Sequence, residues 1–120
     1  ITYIDDAYNS NPVGSKMALE VLKTMPGKKI IVTPGMIELG SLQYDLNKKF
    51  GTYIADACDE VILIGDSQTK PIQDGLKESN YDESKIHILD DVKKAFPLIQ
   101  ELKDKETYVL LENDLPDIFN

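Results

Sequence analysis

Five short apolar runs recur along the chain, separated by amphipathic stretches with helical spacing. That alternation constrains the fold more than any other feature. The runs are Ile1–Ile4, Lys29–Thr33, Glu60–Ile64, Lys85–Leu89 and Thr107–Leu111. Three of them hold continuous apolar segments rich in β-branched residues: Ile30-Ile31-Val32, Val61-Ile62-Leu63-Ile64 and Val109-Leu110-Leu111. A strand that is apolar at consecutive positions is covered on both faces, as in a parallel sheet. Ile86 and Ile88 flank His87, so that run alternates and is expected near a sheet edge. Strand and helix in strict succession predict a Rossmann-like, doubly wound α/β domain with a mainly parallel sheet and right-handed crossovers.

The intervening helices carry their own punctuation. Asn11-Pro12 pairs an N-cap acceptor with proline at the first helical position, and Pro26-Gly27 stops the helix. Between them, Met17, Ala18, Val21, Leu22 and Met25 form the expected buried stripe. A second helix follows Ser41, marked by Leu42, Leu46, Phe50, Ile54 and Ala57, and a weaker third is marked by Ile72 and Leu76. A fourth carries Val92, Ala95, Phe96, Ile99 and Leu102, with Asp90 or Asp91 as its cap. Pro97 lies inside that pattern and predicts a kink or a break.

The bulk numbers narrow the function. A length of 120 residues suits one domain, and 42% hydrophobic residues suffice for a core. A net charge of -8 disfavours nucleic acid and anionic membrane, both of which require a basic face. It leaves room for a nucleotide, since backbone N–H groups and Mg²⁺ can hold phosphates. One cysteine, Cys58, forbids an intrachain disulfide and suits a cytoplasmic location. No apolar run reaches the ~20 residues needed to cross a bilayer, and no signal peptide is expected ahead of the first residue. A chain that opens on a strand is expected to be a domain with other parts upstream.

In a doubly wound sheet, ligands bind beyond the carboxyl ends of the strands. The polar and glycine-rich segments of this chain fall mostly there. Asp5-Asp6-Ala7-Tyr8-Asn9-Ser10-Asn11-Pro12 offers carboxylates able to accept from a ribose diol, or else forms a capped turn with solvated aspartates. Thr33-Pro34-Gly35-Met36-Ile37-Glu38-Leu39-Gly40 brackets one acid with glycines, where Glu38 either binds a cation or ammonium group or is structural. Leu111 to Asp117 is polar and acidic, and by its chemistry alone reads as a solvated helix entry. Neither a P-loop nor a G-x-G-x-x-G fingerprint is present. His87 is the only histidine, which disfavours a Ser-His-Asp triad or a His-rich metal site, and Cys58 reads as a buried small hydrophobe. An acidic receiver-like binding module built on Asp5 and Asp6 remains a competitor at the level of fold.

The first segment resembles the D-D-x-Y-N-A-N-P motif of Mur ligases, and Met36-Ile37-Glu38-Leu39-Gly40 resembles their M-x-E-L-G. Asn47-Lys48-Lys49-Phe50-Gly51 falls where the family has H-x-x-x-G, and the unit from Asp59 to Gly65 follows. The similarity is clear over about the first 65 residues and topological beyond them. The resemblance implies that residues 1–120 are the C-terminal domain of an ATP-dependent amide-bond ligase of peptidoglycan precursor synthesis. The N-terminal and central ATP-binding domains would then lie outside this chain. In such enzymes ATP and Mg²⁺ activate a UDP-N-acetylmuramoyl-peptide carboxylate as an acyl phosphate, which an incoming amine attacks. The C-terminal domain holds that amine, here D-alanyl-D-alanine by the nearest branch, and closes over the nucleotide against the central domain.

Carried over position by position, the resemblance places Asp6, with Asp5 as alternative, at the ribose. It sets Asn9 and Asn11 beside the nucleotide, and Glu38, Gly35 and Asn113 on the substrate side. It places no catalytic residue and no metal ligand in this domain. Three departures bear on the amine: Pro34-Gly35 in place of G-D, Asn47 in place of the histidine, and Glu112-Asn113-Asp114 in place of a basic K-G-S. They leave open a ligase with another acceptor, of poly-amino-acid or folyl-glutamate type.

Overall fold

The computed structural model describes residues 1–6 and 11–113. Five strands form one sheet: β1 (Thr2–Asp6), β2 (Lys28–Thr33), β3 (Glu60–Ile64), β4 (Ile86–Leu89) and β5 (Thr107–Glu112). All four pairings are parallel and the spatial order is β1-β5-β2-β3-β4, as expected of a doubly wound sheet. Four helices connect them: α1 (Pro12–Lys23), α2 (Gln43–Ala57), α3 (Lys70–Glu78) and α4 (Ala95–Leu102). The steps from β1 to β4 all run one way across the sheet, with α1, α2 and α3 on one face. The return to β5 runs the other way with α4 on the opposite face, as right-handed crossovers require.

The strand pleat sorts the core into two layers. Ile31, Val61, Leu63 and Leu110 point toward α1–α3, where Leu19, Leu22, Phe50, Ile54, Ile72 and Leu76 close over them. Their neighbours Ile30, Val32, Ile62, Val109 and Leu111 point toward Ala95 and Ile99 of α4. Both faces are therefore dry, which is why these runs carry no polar alternation. β4 is an edge strand, and Ile88 is exposed there.

Local signals account for the helix ends. Asn11 Oδ1 accepts from Val13 N at 2.8 Å and Gly14 N at 3.4 Å, so it caps α1 as its sequence context predicts. Asp91 caps a short 3₁₀ turn over Val92–Lys94, accepting from Lys93 N at 2.9 Å. That turn absorbs the first residues of the fourth helical pattern. Pro97 then falls in the first turn of α4, where its missing N–H costs nothing, and the expected break does not occur.

The stripe expected on α1 is rotated in part. Ala18, Leu22 and Met25 pack inward as expected and are joined by Ser15 and Leu19, whereas Met17 and Val21 are 60% and 53% exposed. A helical period fixes the spacing of a buried face, not which of two adjacent stripes faces inward. The polar Ser15 goes in because a partner awaits it on β5, described below.

At the amino end of the sheet, Glu60 is buried and gathers three cationic or basic groups. His87 Nε2 lies 2.9 Å from Oε1, and the Lys28 and Lys85 ammonium groups each lie 3.3 Å from Oε2. Burial alone would raise this acid, but hydrogen bonds from His87, Lys85 and Lys28 outweigh it and hold the carboxylate below its ordinary range. His87 thus ties β4 to β3 and has a structural partner.

Helices α2 and α3 cross at paired glycines. A Cβ on Gly75 would stand 2.1 Å from Lys48 O, and one on Gly51 would stand 2.5 Å from Ile72 O. We predict that Gly75→Ala destabilises the chain. The overpacking cost of about 1–3 kcal/mol falls on rigid backbone and exceeds the ~1 kcal/mol of helix propensity gained. A lower urea midpoint for the variant is the expected outcome, and an unchanged or higher midpoint contradicts the close-packing account.

Candidate functional site

Three strands deliver polar residues to the carboxyl end of the sheet on the α1 side. Asp6 ends β1, Glu112 ends β5 and Thr33 ends β2. β5 lies between the other two, and Asp6 is the register partner of Glu112. In a parallel pair, register partners point to the same face. Asp6 therefore follows Ile4 toward α1. Asp5 follows Tyr3 toward α4, where the Tyr3 and Phe96 rings stand 6.0 Å apart.

Glu112 is fully buried, contrary to the solvated entry that its sequence context suggests. It is the last residue of a buried central strand, so the sheet carries it inside. Its Oε1 accepts from Ser15 Oγ at 3.0 Å. Asn113 Nδ2 donates to the same Ser15 Oγ at 2.8 Å, and Asn113 Oδ1 accepts from Thr33 Oγ1 at 2.7 Å. Gly35 N donates to Thr33 Oγ1 at 3.0 Å. A directed relay of hydrogen bonds thus runs from the Gly35 loop through Thr33, Asn113 and Ser15 to Glu112. Asn113 adopts φ 62°, a left-handed conformation that asparagine tolerates, and this aims both ends of its amide into the relay.

The remaining oxygen, Glu112 Oε2, is buried and receives no N–H or hydroxyl hydrogen. Burial, and after it the neighbouring Asp6 carboxyl, push the Glu112 acid up to about 9. Glu112 is therefore protonated at neutral pH, and the charge that an acidic residue normally contributes is absent.

The Gly35 loop is held just as tightly from its other side. Asn47, fully buried on α2, accepts from Met36 N at 2.8 Å and donates to Met36 O at 3.0 Å. Gln43 Nε2 also donates to Met36 O, and Gln43 Oε1 accepts from Leu39 N at 3.1 Å. Gln68 Nε2 bridges to the next loop, donating to Pro34 O at 3.1 Å and Ile64 O at 3.0 Å. Gly35 sits at φ 86°, and a Cβ there would come within 3.2 Å of Asn47 Oδ1. Beyond these anchors Glu38 projects from the loop, exposed and at φ 61°. Among the described residues, no group of three or more His, Cys, Asp or Glu side chains could hold a metal ion. Burial drives the Cys58 thiol far up, so it is no nucleophile.

A family model described as "Mur ligase, glutamate ligase domain" matches residues 1–112. The chain belongs to that family. It is 26% identical over 115 residues to UDP-N-acetylmuramoyl-tripeptide–D-alanyl-D-alanine ligase of Bacillus subtilis, covering 93% of this chain and 25% of that protein. The corresponding ligase of Buchnera aphidicola is 40% identical over 68 residues, covering 56% of this chain and 15% of that protein. Among solved structures, the MurF ligase of Thermotoga maritima in complex with ADP superposes with a TM-score of 0.76. It is 25% identical, covering 92% of this chain and 24% of that one. MurF of Acinetobacter baumannii, at TM-score 0.72 and 23% identity over 92% of this chain and 24% of that one, bears on the fold alone. The chain thus spans a quarter or less of the length of each of these proteins.

Within this Mur ligase domain, the structure gathers Asp6, Gly35 and Asn113 around one relay and sets Glu38 on the adjoining loop. Asn11 is spent in part as a helix cap. Asp5 is exposed on the other side of the sheet, and Asn9 lies outside the described residues. No local pattern marks Ser15, Thr33 or Asn47 for the site. Glu112 has one such mark, because an acid that directly extends a continuous apolar run shares that run's burial.

Glu112 makes stability depend on pH with a definite sign. An acid whose folded pKa is raised binds an extra proton in the folded state. Its contribution is complete below the unfolded value of 4.5 and is lost as pH rises through about 9. Glu112→Gln removes this dependence. The stability of the variant relative to the parent should therefore grow with pH across that window, by up to about 1.4 kcal/mol per unit. Denaturation of both chains over a pH series measures this, and parallel curves would refute the buried neutral acid.

Proposed function

We propose that this chain is the domain of an ATP-dependent amide-bond ligase that binds the incoming amine and closes over the nucleotide. The observation that carries this reading is the family match over residues 1–112, joined to the likeness to a MurF ligase in complex with ADP. The amine is D-alanyl-D-alanine and the acceptor a UDP-N-acetylmuramoyl-tripeptide, the pair named in the relatives' own descriptions. The enzyme works in the cytoplasm, on peptidoglycan precursor, and the UDP-sugar and ATP sites belong to the N-terminal and central domains of the same polypeptide. Mg²⁺, which ATP chemistry of this class implies, finds no group of three or more His, Cys, Asp or Glu side chains to hold it among the described residues.

The chemistry explains the division of labour. ATP phosphorylates the acceptor carboxylate, releasing ADP. The amine nitrogen then attacks the acyl carbon, a tetrahedral intermediate forms, and inorganic phosphate leaves as the amide is made. Acyl phosphates hydrolyse, so the site must exclude water before attack. Carrying the amine on one domain and the activated carboxyl on another makes closure the orienting step.

Asp6 is the residue we assign to the ribose, since it is half-buried at the end of β1 on the site face, whereas Asp5 faces away. Glu38 is assigned to the ammonium of the amine substrate. It stays on display at the rim although a non-glycine residue with positive φ costs roughly 1–2 kcal/mol. Gly35 and Asn113 shape the floor beneath the amine. One of the three departures that leave another acceptor open is the acidic Glu112-Asn113-Asp114, since an acid there would repel a dipeptide carboxylate. Glu112 is buried and protonated, so it sets no fixed charge against that carboxylate.

Two outcomes are expected of the full-length enzyme. Asp6→Ala should lower kcat/KM for ATP about 10- to 150-fold, the equivalent of one charge-assisted hydrogen bond of roughly 1.5–3 kcal/mol. A normal thermal midpoint measured alongside separates this from unfolding, and unchanged nucleotide dependence sinks the assignment. In a phosphate-release assay over a panel of amines, D-alanyl-D-alanine should be strongly preferred. Equal or better turnover with single amino acids such as glutamate would favour the folyl-glutamate or poly-amino-acid type.

A further inference from the structure

The Asp6–Glu112 pair is built in a way that ion-pair chemistry does not explain. Two carboxyl groups end adjacent parallel strands in direct register and face the same side. Glu112 is completely inaccessible, and one of its oxygens meets no protein donor while the other is held by Ser15. Neutral groups hold it: Ser15 of α1 donates to Oε1, Asn113 in the turn after β5 donates to Ser15, and Thr33 at the end of β2 donates to Asn113. Two carboxyl groups so placed, one of them wholly buried, are electrostatically tolerable when they hold one proton between their four oxygens. The free oxygen, Oε2, is the atom that would carry it.

We propose that protonated Glu112 is a positioning residue, whose Oε2–H donates to the Asp6 carboxylate and fixes its orientation for the nucleotide. The inference rests on the assignment of Asp6 to the nucleotide and adds a residue that never touches the ligand. The relay gives Glu112 its rigidity. Oε1 is pinned by Ser15, Ser15 by Asn113, and Asn113 by Thr33, so the proton on Oε2 has one direction in which to point. When that proton is lost to solvent, two like charges face each other across adjacent strands, and the more accessible one, Asp6, is driven away from the site. Nucleotide affinity should then fall on the alkaline side. The same relay links the Gly35 loop to Asp6, so the amine-side and nucleotide-side loops share one set of hydrogen bonds.

The test uses the full-length enzyme with ADP as the probe and no amine present, so that titration of the amine does not intrude. Parent, Glu112→Gln, Glu112→Ala and Asp6→Ala are compared by calorimetric titration from neutral pH upward. For the parent, Kd for ADP should rise about tenfold per pH unit above the Glu112 transition. Glu112→Gln retains a donor toward Asp6 and should bind at neutral pH within a few-fold of the parent, with no alkaline rise. Glu112→Ala, without a donor, should bind weakly at every pH. An infrared carboxylic-acid band present in the parent at neutral pH and absent from Glu112→Gln reports the proton on Glu112, and the alkaline rise in Kd for ADP is the readout that a purely structural role would not move. An alkaline rise that persists in Glu112→Gln, or the absence of that band from the parent, overturns the proposal. If Glu112→Ala fails to fold, the Glu112→Gln profile and the band still decide. Unchanged ADP affinity in Asp6→Ala would sink the nucleotide assignment itself. Weakened affinity in Asp6→Ala beside an unaltered profile in Glu112→Gln would sink the positioning role alone.

Discussion

β5, the last of the described strands, is inserted between β1 and β2, and the rest of the structure depends on that insertion. β5 pairs along its length with β1 on one side and β2 on the other. Its apolar residues complete both core layers, Leu110 beneath α1 and Val109 and Leu111 against α4. Its final residue carries a carboxyl group into the interior, where only a neutral acid with a hydrogen-bond donor beside it is tolerable. Ser15 supplies that donor, and α1 takes the rotation that brings Ser15 inward. One buried polar contact between residues 97 apart in the chain thus lies on the face of α1 that also buries Leu19 and Leu22.

The two ends of the sheet are electrostatically opposite in design. At the amino end Glu60 is buried as an anion, because two lysines and a histidine from three elements converge on it. At the carboxyl end Glu112 is buried as an acid, because its neighbours are hydroxyls, an amide and another carboxyl group. The same residue type takes opposite protonation states according to the partners that the sheet register delivers. The first arrangement fastens strands together. The second sets a neutral acid beside Asp6 at the carboxyl end of the sheet.

Much of the fold was legible without coordinates. Continuous apolar runs marked the buried strands, the interrupted run around His87 marked the edge, and Asn11-Pro12 marked the start of α1. Each is a local effect, in which a residue's own geometry or its near neighbours decide the outcome. The site was legible in part. Asp6, Gly35 and Asn113 fall together at one end of the sheet, while Asp5 turns to the other face. That difference comes from the pleat of a strand that extends through Asp6, farther than its apolar residues indicate. Pro97 produced no break because the preceding 3₁₀ turn moved the helix start, an adjustment within the usual latitude of helix boundaries.

The sequence by itself determined the class of fold and the succession of its elements. Periodicity, caps and glycines act over a few residues and do not require knowledge of distant ones. It also carried the motif resemblance that points to a Mur ligase domain, since that rests on residue types at fixed spacing. The tertiary structure alone decided that β5 lies beside β1, that Glu112 is buried and protonated next to Asp6, and that Ser15 rather than Met17 faces inward. These outcomes turn on which distant side chains meet in a medium where an unpaired charge is costly. No local pattern records those meetings, because the strand pairing that creates them joins opposite ends of the chain.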